Sequence, residues 1–248
     1  MAMTKKIPDT IKGANTFCPG CGHGVVVRLI AEALEELGHA DDAICAVAVG
    51  CSCLVNVALG IDKIGCPHGR ASACAAGIKR VRPGNLVFSY QGDGDSLSIG
   101  LAETVYSAQR NEKFTQIIVN NGVFGMTGGQ ASPCTLIGQK TTTTVDGRSV
   151  NMSGVPLDIM KMFGQIESVA YLARGSVHDA QNILNTKRYI KKAFEAQMAG
   201  AGFSCVEILS PCPTNWHMEP VDSMERIAGV VSAYYPIGEI VTGGGLNA

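Results

Sequence analysis

Charge is what this chain has little of. Asp, Glu, Lys and Arg make up 17% of its 248 residues against 46% hydrophobic ones, and the net charge is −1. With neither a basic excess nor a run of like charge, nothing here would recruit nucleic acid or an anionic membrane surface, so neither is expected as a partner. The N-terminal stretch "MAMTKKIPDTIKG" lacks the apolar core of a secretory leader, which points to the cytoplasm. Without an export signal, the ten cysteines do not read as a disulfide framework. They read instead as metal ligands, reactive thiols or small core residues. Linkers, repeats and low-complexity tracts are missing too, so one domain is expected, with residues 1–14 and 242–248 as flexible ends. So apolar a composition implies a large core, a large partner interface, or both.

One uncharged run, "AICAVAVGCSCLVNVALGI" (43–61), is about as long as a membrane span. Gly50, Ser52, Asn56 and Gly60 interrupt it, so a buried strand, a tight loop and a short helix are expected there.

What is present is an alternation. "HGVVVRLIAEALEELG" (23–38) places Val26, Leu29, Ile30, Ala33, Leu34 and Leu37 on one helical face, with Gly38 as the stop. "AICAVAVG" is a continuous apolar run, the mark of a strand buried on both faces. Helices are expected at 70–81, 96–110, 156–163, 178–199 and near 222–233. The strands "NLVFSYQ", "FTQIIVNN", "SVAYLA" and "FSCVEIL" fall between them, and the Gly- and Thr-rich residues 122–155 read as a long ordered loop. This order predicts right-handed βαβ units, an α/β fold with a parallel sheet flanked by helices.

In such sheets ligands bind beyond the carboxyl ends of the strands. Two of those ends are unusual, "GDGDS" (92–96) and "NNGVFGMTGG" (120–129). Gly92 and Gly94 let the backbone approach an anion closely. The helix starting near Ser96 aims its free N–H groups at the same point. On neighbouring strands Asp93 and Asn121 would lie side by side, two hard oxygen donors suited to Mg²⁺ and a phosphate. A lone GDG is an ordinary turn; GDG followed by NN on the next strand is a more specific signal. At the N-terminal end, the C-x-x-C of "NTFCPGCGHG" (15–24) suits a zinc knuckle, a redox pair or half of an iron–sulfur site.

GDGD followed by NN resembles the thiamine diphosphate motif. Together with "CPGCGHG", "GCS", "HGR", "GMTGGQ" and "SPCPTN", residues 15–220 resemble the β subunit of the 2-oxoacid:ferredoxin oxidoreductases, and look most like the branched-chain (2-oxoisovalerate) type. The resemblance implies a single thiamine diphosphate-binding domain of the diphosphate-half type. It implies a [4Fe-4S] cluster on Cys18, Cys21, Cys51 and Cys212, donors that zinc also accepts. Cys53 and Cys66 are the alternative ligands, and the remaining cysteines read as core. It implies thiamine diphosphate against Val49, Gly50, Cys51, Ser52 and His68, with Gly94, Asp95, Gly125 and Met126 at the diphosphate. Mg²⁺ is then held by Asp93, Asn121 and the backbone carbonyl of Val123. His68 is the candidate catalytic residue, or else it caps a loop.

The implied reaction is oxidative decarboxylation of a 2-oxoacid with CoA to an acyl-CoA and CO₂, the electrons leaving for ferredoxin. The implied partners are an α subunit carrying the pyrimidine-binding half, without which the chain is inactive, and a ferredoxin-like subunit. Two departures bear on the substrate: Glu103 stands where many relatives carry histidines, and Gly128 where some place a lysine. Two rival readings are a non-redox thiamine diphosphate decarboxylase half, which needs no thiolate quartet, and a zinc-stabilised α/β binding module, which needs no Mg²⁺ pair.

Overall fold

Apolar runs become strands and amphipathic runs helices in the computed structural model, which describes residues 6–242. In chain order the elements are α1 (His23–Leu37), β1 (Ile44–Val47), α2 (Val55–Ala58), β2 (Asp62–Gly65), α3 (Ala71–Val81), β3 (Val87–Gly92), α4 (Leu101–Gln109) and β4 (Thr115–Asn120). Then come a short hairpin, β5 (Val123–Phe124) and β6 (Gln130–Ala131), α5 (Val150–Ser153), α6 (Ile159–Phe163), β7 (Val169–Ser176), α7 (Ala180–Met198) and β8 (Phe203–Leu209). The chain closes with α8 (Pro213–Trp216), α9 (Pro220–Arg226), α10 (Ser232–Tyr234) and β9 (Gly238–Thr242).

Seven strands form one sheet in the order β2-β1-β3-β4-β8-β7-β9. The first six are parallel, and β9 closes one edge antiparallel to β7. Alternate residues of each strand serve opposite faces. Cys45, Phe88, Tyr90, Ile117 and Val206 pack with α1 and α7, while Ala46, Val87, Ile118 and Cys205 pack with α3, α4 and α6. Both faces are therefore covered, as a parallel sheet requires. Gly38 ends α1 in the left-handed conformation (φ 75°), its N–H bonded to the carbonyls of Glu35 and Leu34.

The chain leaves β1 outward to β2 and returns on the other side of β1 as β3. The crevice past the carboxyl ends of β1 and β3 is thus a topological switch point, where open α/β sheets bind ligands.

The uncharged run 43–61 forms the expected strand, tight loop and short helix, as β1, a 3₁₀ turn (Cys51–Leu54) and α2, and no helix among the described residues is long and apolar enough to cross a membrane. Other expectations shift. After the GDG turn the chain first makes a wide π-type turn, Asp95–Ile99, closed by the Gly100 N–H on the Asp95 carbonyl at 2.8 Å. The helix expected at 156 starts at Ile159, because Asp158 caps it through the N–H groups of Met160 and Lys161. The loop 122–155 contains β5, β6 and α5. Buried Arg148 gathers much of it, donating to the carbonyls of Ser132, Pro133, Thr135 and Ser153. Of the two ends expected to be flexible, residues 6–14 and Thr242 are described: Thr10 is buried and bonds Glu35 Oε1 through both its N–H and its hydroxyl (2.7 Å each). Residues 1–5 and 243–248 lie outside the described residues.

Candidate cofactor cleft and thiol cluster

Three strand ends build the site. β1 delivers Val49, Gly50, Cys51 and Ser52; Gly50 sits at φ 108° and ψ −158°, a backbone only glycine adopts readily. β3 delivers Gly92, Asp93 and Gly94. A Cβ on Gly94 would lie 2.3 Å from the Phe124 ring, so the close approach there excludes any side chain. β4 delivers Asn120 and Asn121, and Gly122 turns the chain at φ 66°.

The register Gly92↔Val119 brings Asp93 level with Asn120, so that Asn121 follows beside it, as the sequence spacing implied. The Asn121 N–H donates to Asp93 Oδ1 at 3.4 Å, and the Ser132 hydroxyl donates to Asp93 Oδ2. Neither partner is a cation, and Asp93 is only 1% exposed. Burial pushes its carboxyl up to about 7, against the two hydrogen bonds, with nearby Glu207 raising it further. A buried acid in this state is a carboxylate waiting for positive charge. Asn121 Oδ1 accepts the Val123 N–H at 3.1 Å, and the indole N–H of Trp216 donates to the Asn121 carbonyl at 3.0 Å.

Asp95 has a different task. Its Oδ1 accepts the Gly69 N–H (2.8 Å) and lies 3.4 Å from His68 Nδ1, while Oδ2 accepts from Gln91 Nε2 (3.0 Å). It pins the "HGR" loop so that His68, half exposed, stands at the cleft mouth. Gly69 and Gly100 touch backbone to backbone; a Cβ on either would fall within 2.6 Å of the other.

All the residues expected at the cofactor line one open cleft: Val49, Gly50, Cys51, Ser52, His68, Gly94, Asp95, Gly125 and Met126, with Asp93, Asn121 and Val123. His23, Phe124 and Thr127 line it too, and sequence reasoning missed them. His23 stacks on Phe17 (centroids 5.1 Å apart), its Nδ1 meets the Tyr90 hydroxyl at 2.6 Å, and burial pulls its pKa down to about 4. Its place in "CGHG", opening a helix beside two cysteines, was the available signal.

The thiols expected to hold a cluster are electrostatic neighbours. Cys21 feels Cys18, Cys51 and Cys212; burial first, then these neighbours, push it up to about 12. Cys51, beside Cys212 and Cys18, is pushed to about 11 by burial first. A Cβ on Gly125 would sit 3.3 Å from Cys51 Sγ and 3.8 Å from Cys212 Sγ, so the two sulfurs flank one glycine. Asn215 Nδ2 bridges Cys212 Sγ (3.4 Å) and the Gly125 carbonyl (3.1 Å). Among the described residues no three His, Cys, Asp or Glu side chains converge on a point that holds one ion. The quartet is gathered but not closed, and burial of Cys21, Cys51 and Cys212 keeps protons on thiols that a metal would displace. Cys66 lies elsewhere, against Cys74 and Cys45; Cys53 neighbours Cys51. Glu103 pairs with Arg70 at 2.9 Å, on the "HGR" loop, and Gly128 sits at φ 110°.

The family model for thiamine pyrophosphate enzymes, C-terminal TPP binding domain, matches residues 49–208, from the Gly50 turn through the GDG and NN ends to β8. This chain belongs to that family. Among its relatives, the ketoisovalerate oxidoreductase subunit VorA of Methanothermobacter thermautotrophicus is 41% identical over 95% of this chain and 52% of its own length. The 2-oxoglutarate synthase subunit KorB of Methanocaldococcus jannaschii is 38% identical over 80% of this chain and 69% of its own. A solved structure of 2-oxoglutarate:ferredoxin oxidoreductase from Magnetococcus marinus, with 2-oxoglutarate, coenzyme A and succinyl-CoA bound, superposes with a TM-score of 0.81 at 26% identity, covering 97% of this chain and 86% of that one. Within the thiamine pyrophosphate enzymes, then, the chain is of the 2-oxoacid oxidoreductase β-subunit kind. It spans about half the length of the ketoisovalerate subunits it matches.

Proposed function

We propose that this thiamine pyrophosphate enzyme is the β subunit of a ferredoxin-dependent 2-oxoacid oxidoreductase, converting a 2-oxoacid and CoA to acyl-CoA and CO₂ in the cytoplasm. One observation carries the reading: Cys51 lines the cofactor cleft and also neighbours Cys18, Cys21 and Cys212. Electrons released in the cleft would meet the thiol quartet at its wall.

Bound thiamine diphosphate supplies the electron sink that lets a 2-oxoacid lose CO₂. The chain's residues fit its binding. Asp93, Asn121 and the Val123 carbonyl offer hard oxygens to Mg²⁺, and the buried, unpaired state of Asp93 favours that cation. Gly94 and the N–H groups opening the π-type turn receive the diphosphate, with Gly125 and Met126 beside it. Asp95 holds His68 at the mouth, where its imidazole can pass a proton to or from substrate. Cys18, Cys21, Cys51 and Cys212 would hold a [4Fe-4S] cluster and hand electrons on singly to ferredoxin or a ferredoxin-like subunit. Val49 and Met126 leave an apolar rim, 37% and 49% exposed, for an α subunit carrying the pyrimidine half to cover.

A branched-chain substrate such as 2-oxoisovalerate is the first reading, supported by the ketoisovalerate relatives. A second, 2-oxoglutarate, draws support from the 38% identical synthase subunit and the superposed structure. Strained at φ 110°, position 128 offers no ready place for a lysine to anchor a distal carboxylate, which favours the first.

The test is anaerobic co-purification with the partner subunit, iron and sulfide analysis, and CoA-dependent dye reduction on 2-oxoisovalerate, pyruvate and 2-oxoglutarate. A brown, four-iron preparation with the highest kcat/KM on 2-oxoisovalerate is expected, and no turnover from this chain alone. A colourless zinc protein would end the redox reading, and a preference for 2-oxoglutarate would replace the first substrate with the second.

A further inference from the structure

Next to the Asp93–Asn121 corner, among residues that do not line the cleft, runs a buried polar chain that the proposed chemistry leaves without a task. Glu207, fully buried within β8, accepts the Asn120 Nδ2–H through Oε1 at 2.7 Å and the Arg174 Nε–H through Oε2 at 2.6 Å. Arg174 on β7 is 2% exposed. It also bonds Asp158 and the Pro236 carbonyl (3.3 Å), and lies 5.0 Å over the Tyr235 ring.

The consequence falls on Asn120. An asparagine amide can present either its oxygen or its nitrogen in a given direction. A carboxylate accepts only, so Glu207 selects the nitrogen. The oxygen must then face the other way, and there it accepts the Gly122 N–H at 3.1 Å. Gly122, at φ 66°, joins the two candidate Mg²⁺ donors, Asn121 and the Val123 carbonyl. The turn that presents those donors is thus gripped by a buried charge.

Charge is an expensive way to fill a core. A buried ion pair is often no more stabilising than well-packed apolar residues of the same volume. What an apolar residue at 207 could not do is orient the Asn120 amide. We infer that Glu207, itself held by Arg174, is a positioning residue for Mg²⁺–diphosphate binding, acting through Asn120 on the Asn121–Val123 turn. This rests on the cofactor reading above.

The experiment is calorimetric titration of Mg²⁺ at fixed thiamine diphosphate, on the full chain in the assembly in which it purifies, with melting temperatures in parallel. Wild type is the control for the cofactor reading; no binding there sinks that reading and this inference together. In Asn120→Asp two acceptor-only carboxylates face each other and the grip is lost. Mg²⁺ affinity should fall about tenfold, the worth of one buried hydrogen bond. Adding Glu207→Gln restores the pattern: the new amide N–H donates to the aspartate while its oxygen still accepts from Arg174. The double variant should bind within about threefold of wild type, a coupling that a merely structural role would not produce. Wild-type affinity in folded Asn120→Asp overturns the inference, as does a folded double variant no tighter than the single. Should Asn120→Asp not fold, Asn120→Ala carries the same expectation, and unchanged affinity there is equally fatal.

Discussion

Asp93, at the end of β3, and Glu207, within β8, lie in strands separated only by β4, and both are buried to 1% exposure or less. Glu207 is fully supplied, with a guanidinium on one oxygen and an amide on the other. Asp93 has one hydroxyl and one long backbone bond, and its carboxyl is driven up to about 7. One fold thus treats two buried acids in opposite ways. The supplied one holds the turn after β4 in place; the undersupplied one is where the proposed cation would bring the missing charge. The thiols of Cys21 and Cys51, raised by burial first and then by neighbouring thiols, belong with Asp93.

That contrast is breakable. Asp93→Ala should remove Mg²⁺-dependent thiamine diphosphate binding and lower turnover by about 10³ or more; unchanged affinity in a cofactor titration would make Asp93 an ordinary turn residue. Cys212→Ser should lose its iron and sulfide, oxygen being a poor ligand for a cluster, while Cys66→Ser keeps both; metal analysis showing the reverse would move the fourth ligand. Arg174→Leu leaves Glu207 buried without its cation, and denaturant unfolding should show a loss of about 3–5 kcal/mol.

The opposite sign is expected for Asp93→Asn. The folded pKa near 7 lies above the ordinary carboxylate value, so the cofactor-free chain gains stability as pH falls from above 7 toward 4. The neutral variant lacks that slope and should be the more stable protein at pH 8, by about 4 kcal/mol at about 1.4 kcal/mol per pKa unit. A less stable variant would mean that Asp93 is scaffolding after all. His23 tilts the other way: its folded pKa near 4 lies below the ordinary 6.5, so stability is lost as pH falls through that window. His23→Phe should flatten the acid limb by about 3 kcal/mol, read from melting temperature against pH.

Much of the site was legible because it is local. GDG, NN and C-x-x-C are short, and βαβ order places strand ends side by side without further information. What stayed hidden depends on long-range contact. Ser132 reaches Asp93 from a loop with no periodicity, 39 residues on. Glu207 reads as one charged letter in the apolar strand "FSCVEIL", and its partner Arg174 lies just past the expected end of "SVAYLA". Two edge strands also escaped. "DKIG" of β2 is short and largely exposed, and "GEIVT" of β9 follows a helix with no apolar run to announce it. Arg148 satisfies backbone carbonyls that only the folded loop brings together, so no motif could reveal it.

Trp216 is the chain's one tryptophan, and its indole N–H is bonded to the carbonyl of Asn121, under the guanidinium of Arg226 at 5.5 Å. An indole's emission colour follows the dipoles and charges around it. The fold has therefore wired its single chromophore of this type to the residue whose side chain is proposed to face the cation. Arrival of the metal should be visible in the ultraviolet emission of the unlabelled chain, and a rapid-mixing instrument could time cofactor entry apart from turnover.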